Sequence, residues 1–150
     1  MKKPTKQLAI FVLAILLVIG WAAWPRSLER RILKHHAAAD FSTVEQFQVL
    51  WTPPNPVRDY EAGAYPSWML EETFTQPVLD ILRKATISRP SRRNWQVVGD
   101  EGNYNLVAWC FNLHINQDGT VQVWNTNYRL DRTSFAKLWA ILRESTPETY

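Results

Sequence analysis

The sequence predicts an α+β protein: a single transmembrane helix, a helical first half, and a three-stranded antiparallel β-meander closed by a C-terminal helix. Three observations predict this fold class. A segment without charge lies near the start of the chain, apolar residues then recur at helical spacing, and after residue 94 they alternate with a period of two before a last helical segment. The 150 residues are enough for one domain of ordinary size.

The first element is predicted to be a transmembrane helix within residues 7–25, which contain no charged side chain. As a helix this stretch would rise about 28 Å, close to the hydrocarbon thickness of a bilayer. Trp21 and Trp24 suit the membrane–water interface at one end of it. We therefore expect residues 1–25 to form a cytoplasmic tail and membrane anchor, and residues 26–150 to form a single extracytoplasmic domain.

A cleaved signal peptide is the alternative interpretation of this segment. Lys2, Lys3 and Lys6 would form its basic region and residues 8–20 its apolar core, although Trp21 fits a cleavage site poorly. Basic residues flank the segment on both sides, so the orientation depends on the tendency of long domains to be translocated regardless of charge. We expect the N-terminus inside the cell membrane and the domain outside, with secretion after cleavage or a cytoplasmic domain as alternatives.

The region after the anchor is predicted to be helical. Residues 26–41 carry apolar side chains at helical spacing, and Ser42 with Glu45 matches a capping box at the start of a further helix. The stretch 47–51 also alternates as a strand would. We interpret it as part of the capped helix, which leaves the strand as the alternative.

Prolines then mark the predicted loop and helix boundaries. Residues 52–66 contain four prolines and are predicted to form an irregular loop, after which Ser67 caps a short helix. Pro77 is expected to interrupt this helix, so that Thr75 caps a second one. The inward face of the second helix is predicted to consist of Val78, Ile81, Leu82 and Ala85.

Three strands and a helix complete the predicted domain. The strands are expected at residues 95–98, 104–116 and 120–130, because apolar residues alternate in each of them. Asp131 is predicted to cap the C-terminal helix. The apolar face of that helix is predicted to consist of Phe135, Leu138, Trp139 and Leu142.

The hairpin around Asp118 and Gly119 has two possible registers. A two-residue turn pairs Leu113 with Trp124, whereas a three-residue Gln-Asp-Gly loop pairs Leu113 with Val123. We interpret this hairpin as scaffold, covered in either register by the C-terminal helix. Its apolar stripe is predicted to consist of Trp109, Phe111, Leu113 and Ile115.

The charge distribution argues against a nucleic-acid partner. Residues 1–24 hold three of the 17 basic residues and no acidic one, which leaves 14 basic against 14 acidic residues in the remainder. A domain that binds DNA or RNA normally keeps a basic excess on its folded part. Cys110 is the only cysteine, so an intrachain disulfide is impossible.

No group of residues predicts a catalytic or metal centre. His35 and His36 would diverge by about 100° on a helix. Cys110 and His114 would lie about 13 Å apart on one strand, beyond hydrogen-bond reach. The five glycines form no phosphate-binding loop. We therefore expect no cofactor and no metal, and an enzyme is the less favoured interpretation.

Two surface features are predicted to bind a partner. Aromatic residues beside the proline-rich loop would provide rigid, amphipathic contact area, and residues 83–93 carry five basic side chains and no acidic one. A small core beneath the loop and a solvated helix end are the alternative interpretations. The predicted binding residues are Tyr60, Tyr65, Trp68, Arg89, Arg92 and Arg93.

These observations predict a non-enzymatic, single-pass membrane protein with an exported, periplasmic domain. The domain is expected to bind another protein, as an accessory subunit, an inhibitor or an immunity factor. Membrane lipid is the second expected partner, through residues 7–25. Binding of cell-wall glycan by exposed Trp or Tyr is the alternative function, and a membrane-linked hydrolase is the third.

Overall fold

The computed structural model describes residues 6–34, 40–54, 65–88 and 99–148, without the side chains of residues 22 and 23. Over these ranges the chain is α+β, with eight strands in one antiparallel sheet. The helices are α1 (Lys6–Ala23), α2 (Leu28–Leu33), α3 (Glu72–Lys84) and α4 (Arg132–Glu144), with a 3-10 helix at Phe41–Thr43. The strands are β1 (Arg26–Ser27), β2 (Gln48–Thr52), β3 (Ser67–Met69), β4 (Thr86–Ser88), β5 (Asn103–Ala108), β6 (Phe111–Asn116), β7 (Thr120–Val123) and β8 (Thr126–Leu130).

The strand order across the sheet is β1-β4-β8-β7-β6-β5-β2-β3. Strands β5 to β8 are joined by short turns and form the centre of the sheet, with β4 and β1 on one side and β2 and β3 on the other. Strands from the first half of the chain occupy both edges. Apolar side chains alternate along the central strands and pack beneath α2, α3 and α4, so the core is a single layer between helices and sheet.

The predicted three-stranded meander is wrong, because each of its two long strands folds back on itself. Residues 104–116 divide at a two-residue turn, Trp109 and Cys110, and residues 120–130 divide at Trp124 and Asn125. Neither turn contains glycine or proline, so the alternation of apolar and polar residues runs through both turns without a break in the sequence. The strand predicted at 95–98 lies outside the described residues.

The hairpin between β6 and β7 has the three-residue register. Leu113 pairs with Val123 and Ile115 pairs with Val121, which confirms one of the two alternatives. Gly119 has a φ of 83°, in the left-handed region that glycine tolerates best. Leu113, Ile115, Val121 and Val123 are all buried, so the hairpin is scaffold.

Two of the predicted helices in the first half are strands in the structure. Ser42 does not begin a helix but lies within the 3-10 turn Phe41–Thr43, which the Asp40 carboxylate caps, and β2 follows at Gln48–Thr52. Ser67 does not cap a helix but begins β3, which pairs with β2. In both places the tertiary pairing overrides the local helical pattern, because β2 joins β3 to the central strand β5.

Helix α3 continues through Pro77, contrary to the predicted interruption. Proline removes one backbone donor, and Pro77 lies on the exposed side of the helix, away from the core. Val78, Leu82 and Ala85 are buried, as the helical spacing predicts, because they face the sheet.

Helix α4 begins where the sequence predicts, and its cap also fixes the edge of the sheet. The Asp131 carboxylate accepts hydrogen bonds from the backbone N–H of Ser134 at 2.9 Å and from that of Thr86 at 2.9 Å. Burial alone would raise the pKa of Asp131, but the hydrogen bonds from these N–H groups lower it overall. One carboxylate thus joins the start of α4 to strand β4.

The predicted transmembrane helix is also wrong. Among the residues that the structure describes, no helix is both long and apolar enough to cross a membrane. Helix α1 has 18 residues and begins with the polar Lys6 and Gln7. Its run of Leu, Ile, Val, Ala and Phe, residues 8–19, rises only about 18 Å, whereas the hydrocarbon layer is about 30 Å thick. The remaining residues of the predicted span include Trp24 and Pro25, which follow the helix.

We expect Leu113→Ala to destabilise the domain far more than Trp109→Ala. Leu113 is completely buried in the core, so its truncation should lower the free energy of unfolding by about 2–5 kcal/mol. Trp109 is 65% exposed and donates one hydrogen bond, so its loss should cost about 1 kcal/mol. Urea denaturation of both variants measures the difference. Equal destabilisation would mean that Trp109 belongs to the core, as the sequence alone predicted.

Candidate functional site

Only part of the predicted binding site can be located. Tyr60, Arg89, Arg92 and Arg93 lie outside the described residues, so their grouping stays a prediction. Tyr65 is 41% exposed and lies just before β3. Trp68, the other described member of the set, is at the centre of that strand.

Trp68 packs against the core. It pairs with Val49 of β2 and faces the helix side of the sheet. Its ring meets Tyr104 edge to face, with the ring centroids 6.4 Å apart and an interplanar angle of 88°. Tyr104 in turn meets the ring of Trp139 of α4 edge to face, with the ring centroids 5.0 Å apart. Trp68 is therefore a packing residue at the margin of the core.

The opposite face of the same strand carries an exposed apolar group. Met69 is 50% exposed and pairs with Gln48, which pairs with Val107 of β5. Leu50 and Val107 are half-buried on this face, which no described helix covers. We name the group of Tyr65, Met69, Leu50 and Val107 the edge surface.

Strand β3 also presents free backbone positions along its outer side. The N–H of Trp51 donates to the carbonyl of Pro66 at 2.9 Å, and the N–H of Leu70 donates to the carbonyl of Phe47 at 2.8 Å. Residues 66, 68 and 70 therefore turn their polar backbone groups toward β2. Ser67 and Met69 turn theirs away, and no strand of the described ranges pairs with that side.

Two tryptophans lie at hairpin tips, and the sequence assigned the first of them, Trp109, to the core. Trp109 is 65% exposed in the turn between β5 and β6, and Trp124 is 37% exposed in the turn between β7 and β8. Asn125 was the available local signal for the second turn, since Asn accepts positive φ more readily than most residues. The first turn, Trp109 and Cys110, has no such signal.

A row of polar side chains crosses the uncovered face of the sheet. Asn105, His114, Gln122 and Asn127 pair in sequence across β5, β6, β7 and β8, and Gln122 donates to Asn127 at 3.1 Å. Partial burial lowers the pKa of His114. The side-chain oxygen of Asn105 is buried without a hydrogen-bond partner among the described residues.

Two side chains with possible chemical reactivity, Cys110 and Glu101, lie in structural surroundings. Burial raises the pKa of Cys110, which reduces its thiolate fraction and hence its reactivity. The Glu101 carboxylate accepts from the indole N–H of Trp139 at 3.2 Å and lies 3.7 Å from the Arg143 guanidinium, so structural contacts occupy it. Within the described ranges, no group of three or more His, Cys, Asp or Glu residues could hold a metal ion.

Comparison with known proteins finds no match: no protein-family model fits the chain, and neither a curated protein nor a solved structure is detectably similar to it. The residues and their geometry are therefore the basis for a functional proposal.

We expect His114 to make the domain less stable in mild acid. Its folded-state pKa is depressed by burial, so the unfolded chain binds the proton more readily than the native state does. The associated stability is fully present above the ordinary imidazole pKa of about 6.5 and is lost as pH falls through the lower folded-state pKa.

The urea midpoint at pH 7.5 and at pH 5.5 measures this effect. His114→Gln keeps a polar side chain but cannot titrate, so the midpoint should change less with pH in this variant. His35 and His36 are the same in both chains and cancel. An identical pH dependence in the two proteins would show that His114 does not contribute.

Proposed function

We propose that this domain is a non-enzymatic module that binds another protein through the edge surface. The observation that carries the proposal is the combination of exposed apolar side chains and outward backbone groups on β3. Met69 and Tyr65 provide the apolar contact, while Ser67 and Met69 direct N–H and C=O groups away from β2. A polypeptide chain is a ligand that can contact the apolar side chains and form hydrogen bonds with the backbone groups at the same time.

The chemistry of the edge surface supports a peptide partner in extended conformation. An added strand would form main-chain hydrogen bonds with Ser67 and Met69, and its side chains on the uncovered face would lie beside Met69. Methionine and tyrosine are enriched at protein interfaces, where methionine adapts its shape to the partner. The exposed patch is small, which suits a transient contact better than an obligate one.

The three arginines of the predicted site would act on the rate of association. Arg89, Arg92 and Arg93 belong to a segment, residues 83–93, that contains five basic residues and no acidic one. Charges outside the contact area steer the encounter over a distance and are screened by salt. An acidic partner surface is therefore part of the proposal.

Glycan binding has weaker support. The alternative needed Trp68 as an exposed stacking platform, and this ring instead packs against Tyr104. Met69 and Leu50 present flexible aliphatic groups in place of a flat ring. A protein partner fits these side chains better.

We also propose that the domain acts outside the cytoplasm and that residues 7–25 contact lipid during or after export. Lys6 precedes a 12-residue run of apolar side chains in α1, and apolar segments of 7–15 residues after a basic region are typical of export signals. The large apolar side chains of α1 are exposed from Leu8 to Trp21. Their exposure supports an apolar environment for this segment.

The binding proposal predicts that Met69→Asp weakens complex formation by about tenfold while leaving the melting temperature nearly unchanged. A charge at this position would have to lose its water on binding, but it stays hydrated in the free domain. Arg129→Asp is the matched control, since Arg129 is exposed on the same face near the other edge. Trp68→Ala should lower the melting temperature, because this ring packs on Tyr104.

Photo-crosslinking makes the experiment specific to the surface. A photoreactive amino acid at position 69 should capture one protein of defined mass in cells, and the same group at position 129 should not. Ser67→Pro should reduce the adduct, since it removes an outward N–H while the bonds from β3 to β2 are kept. Equal capture at both positions, or no effect of Ser67→Pro, would count against the edge surface.

The export proposal predicts that alkaline phosphatase fused after the last residue is active. Leu13→Arg in the apolar run should abolish this activity, because a charge in such a segment opposes insertion. Leu13→Ala is the control and should retain most of the activity. A phosphatase fusion that is inactive beside a fluorescent cytoplasmic fusion would place the domain inside the cell.

A further inference from the structure

Trp109 and Trp124 present indole rings whose polar atoms are already bonded within the protein. The N–H of Trp109 donates to the backbone carbonyl of Thr43 at 3.1 Å, and the N–H of Trp124 donates to that of Ile32 at 2.9 Å. The exposed part of each ring is therefore carbon. We name these two residues the hairpin-tip surface.

The two tips lie side by side at one end of the sheet. The hairpin β5–β6 is adjacent to the hairpin β7–β8, because β6 pairs with β7. The centres of the two hairpins are thus separated by two strand spacings, about 10 Å. Each ring bridges a turn to a segment of the helix layer, so its orientation is fixed before any contact is made. Both rings can enter one flat apolar phase together.

The backbone of the second tip has positive φ at two residues, Trp124 and Asn125. Trp124 has a φ of 50° and Asn125 a φ of 59°, the conformation of a type I′ turn. A bulky aromatic residue rarely adopts positive φ, because this conformation is strained for a side chain with a Cβ atom. Strained residues of this kind are concentrated at binding sites. The strain is an independent indication that the tip has a role besides closing a turn.

The first strand enters the sheet from the same end. Ser27 pairs with Thr86, next to Asp131, whereas Arg26 is one residue nearer the hairpin tips. The chain that precedes Arg26, with the exposed Trp24 and the apolar helix α1, therefore arrives from the side of the hairpin-tip surface. Two separate parts of the sequence direct apolar surface toward one end of the domain.

We propose that the hairpin-tip surface rests on a lipid bilayer, with the rings of Trp109 and Trp124 at the level of the headgroups. A planar apolar phase is the partner that both rings and the preceding chain can contact at once, and tryptophan prefers this depth. This contact is interfacial and does not cross the bilayer. It is independent of protein binding at the edge surface.

The charges around the tips make the expected contact insensitive to lipid charge. The exposed charged residues nearest in sequence to the two acceptor carbonyls are Arg30, Lys34, Asp40 and Glu45, two basic and two acidic. Attraction to anionic lipid needs an excess of basic residues. Once the chain is bound, the contact at the tips should therefore be similar on neutral and anionic vesicles and should change little with salt.

A fluorescent probe beside the tips tests the proposal in the full-length chain. Cys110→Ala removes the only native thiol, and Asn125→Cys then accepts an NBD label while both tryptophans are kept. Asp118→Cys, at the exposed turn of the opposite end, is the matched control. The probes are vesicles of phosphatidylcholine, with or without phosphatidylglycerol, that carry a spin-label quencher on the acyl chain.

With vesicles, NBD at position 125 should shift to shorter wavelength and be quenched, while NBD at position 118 should not change. Trp109→Ala with Trp124→Ala should abolish the shift at 125, and the two Trp→Phe substitutions should retain it. Residues 7–25 are unchanged in these variants and would keep every chain on the vesicles. A change in the NBD signal therefore reports lipid contact by the tips alone.

An unchanged label at 125 on a chain that sediments with vesicles would overturn the proposal. So would a shift that survives both alanine substitutions, or one that appears with soluble cell-wall polysaccharide and not with vesicles. Circular dichroism of the alanine pair confirms that the domain is folded. If the double alanine variant is unfolded, Trp109→Lys alone should still reduce the shift, because Trp109 is mostly exposed and its replacement should leave the domain folded.

Discussion

The rest of the structure depends on the burial of one face of an eight-stranded antiparallel sheet. Side chains alternate between the faces, so a shift of one residue in any pairing would move Leu113 or Val123 from the core to solvent. The helices α2, α3 and α4 cover this face and leave the other uncovered among the described residues. Register, core and exposed polar row are therefore consequences of one constraint. The edge surface lies at the margin of the uncovered face, where β3 ends the sheet.

The sequence predicts the parts of the fold in which local and tertiary preferences agree. Helix α4 begins at Asp131 because a capping carboxylate and an apolar stripe indicate the same element. The three-residue register of the β6–β7 hairpin was one of two possibilities, and Gly119 supplies the positive φ that this loop uses. Prediction from the sequence fails where the conformation of a segment depends on the strand with which it pairs. Strand β2 resembles a capped helix, but it pairs with β5, whose residues lie 59 positions away for Gln48 and Val107.

The candidate sites show the same limit. Exposed Met69 has no sequence signature, because only its pairing with Gln48 places it on the uncovered face. Trp109 alternates with buried residues and so was assigned to the core, although a turn without glycine or proline exposes it. In the folded chain, hydrogen bonds from indole N–H groups join segments that lie far apart in the sequence. Trp51 donates to the carbonyl of Glu101, and Trp124 donates to that of Ile32, so these tryptophans join the sheet to a loop and to helix α2.

The placement of the edge strands determines the order in which the chain can fold. Strands β5 to β8 contact neighbours a few residues away, so they can form as soon as that part of the chain exists. Strands β1 and β2 pair with partners 59 residues later, as in Ser27 with Thr86 and Gln48 with Val107. Closing such loops costs entropy before any contact repays it, which slows folding. Strand β1 must therefore remain without its sheet partner until more than half of the chain has been synthesised, whereas β2 can pair with β3 earlier and with β5 only later.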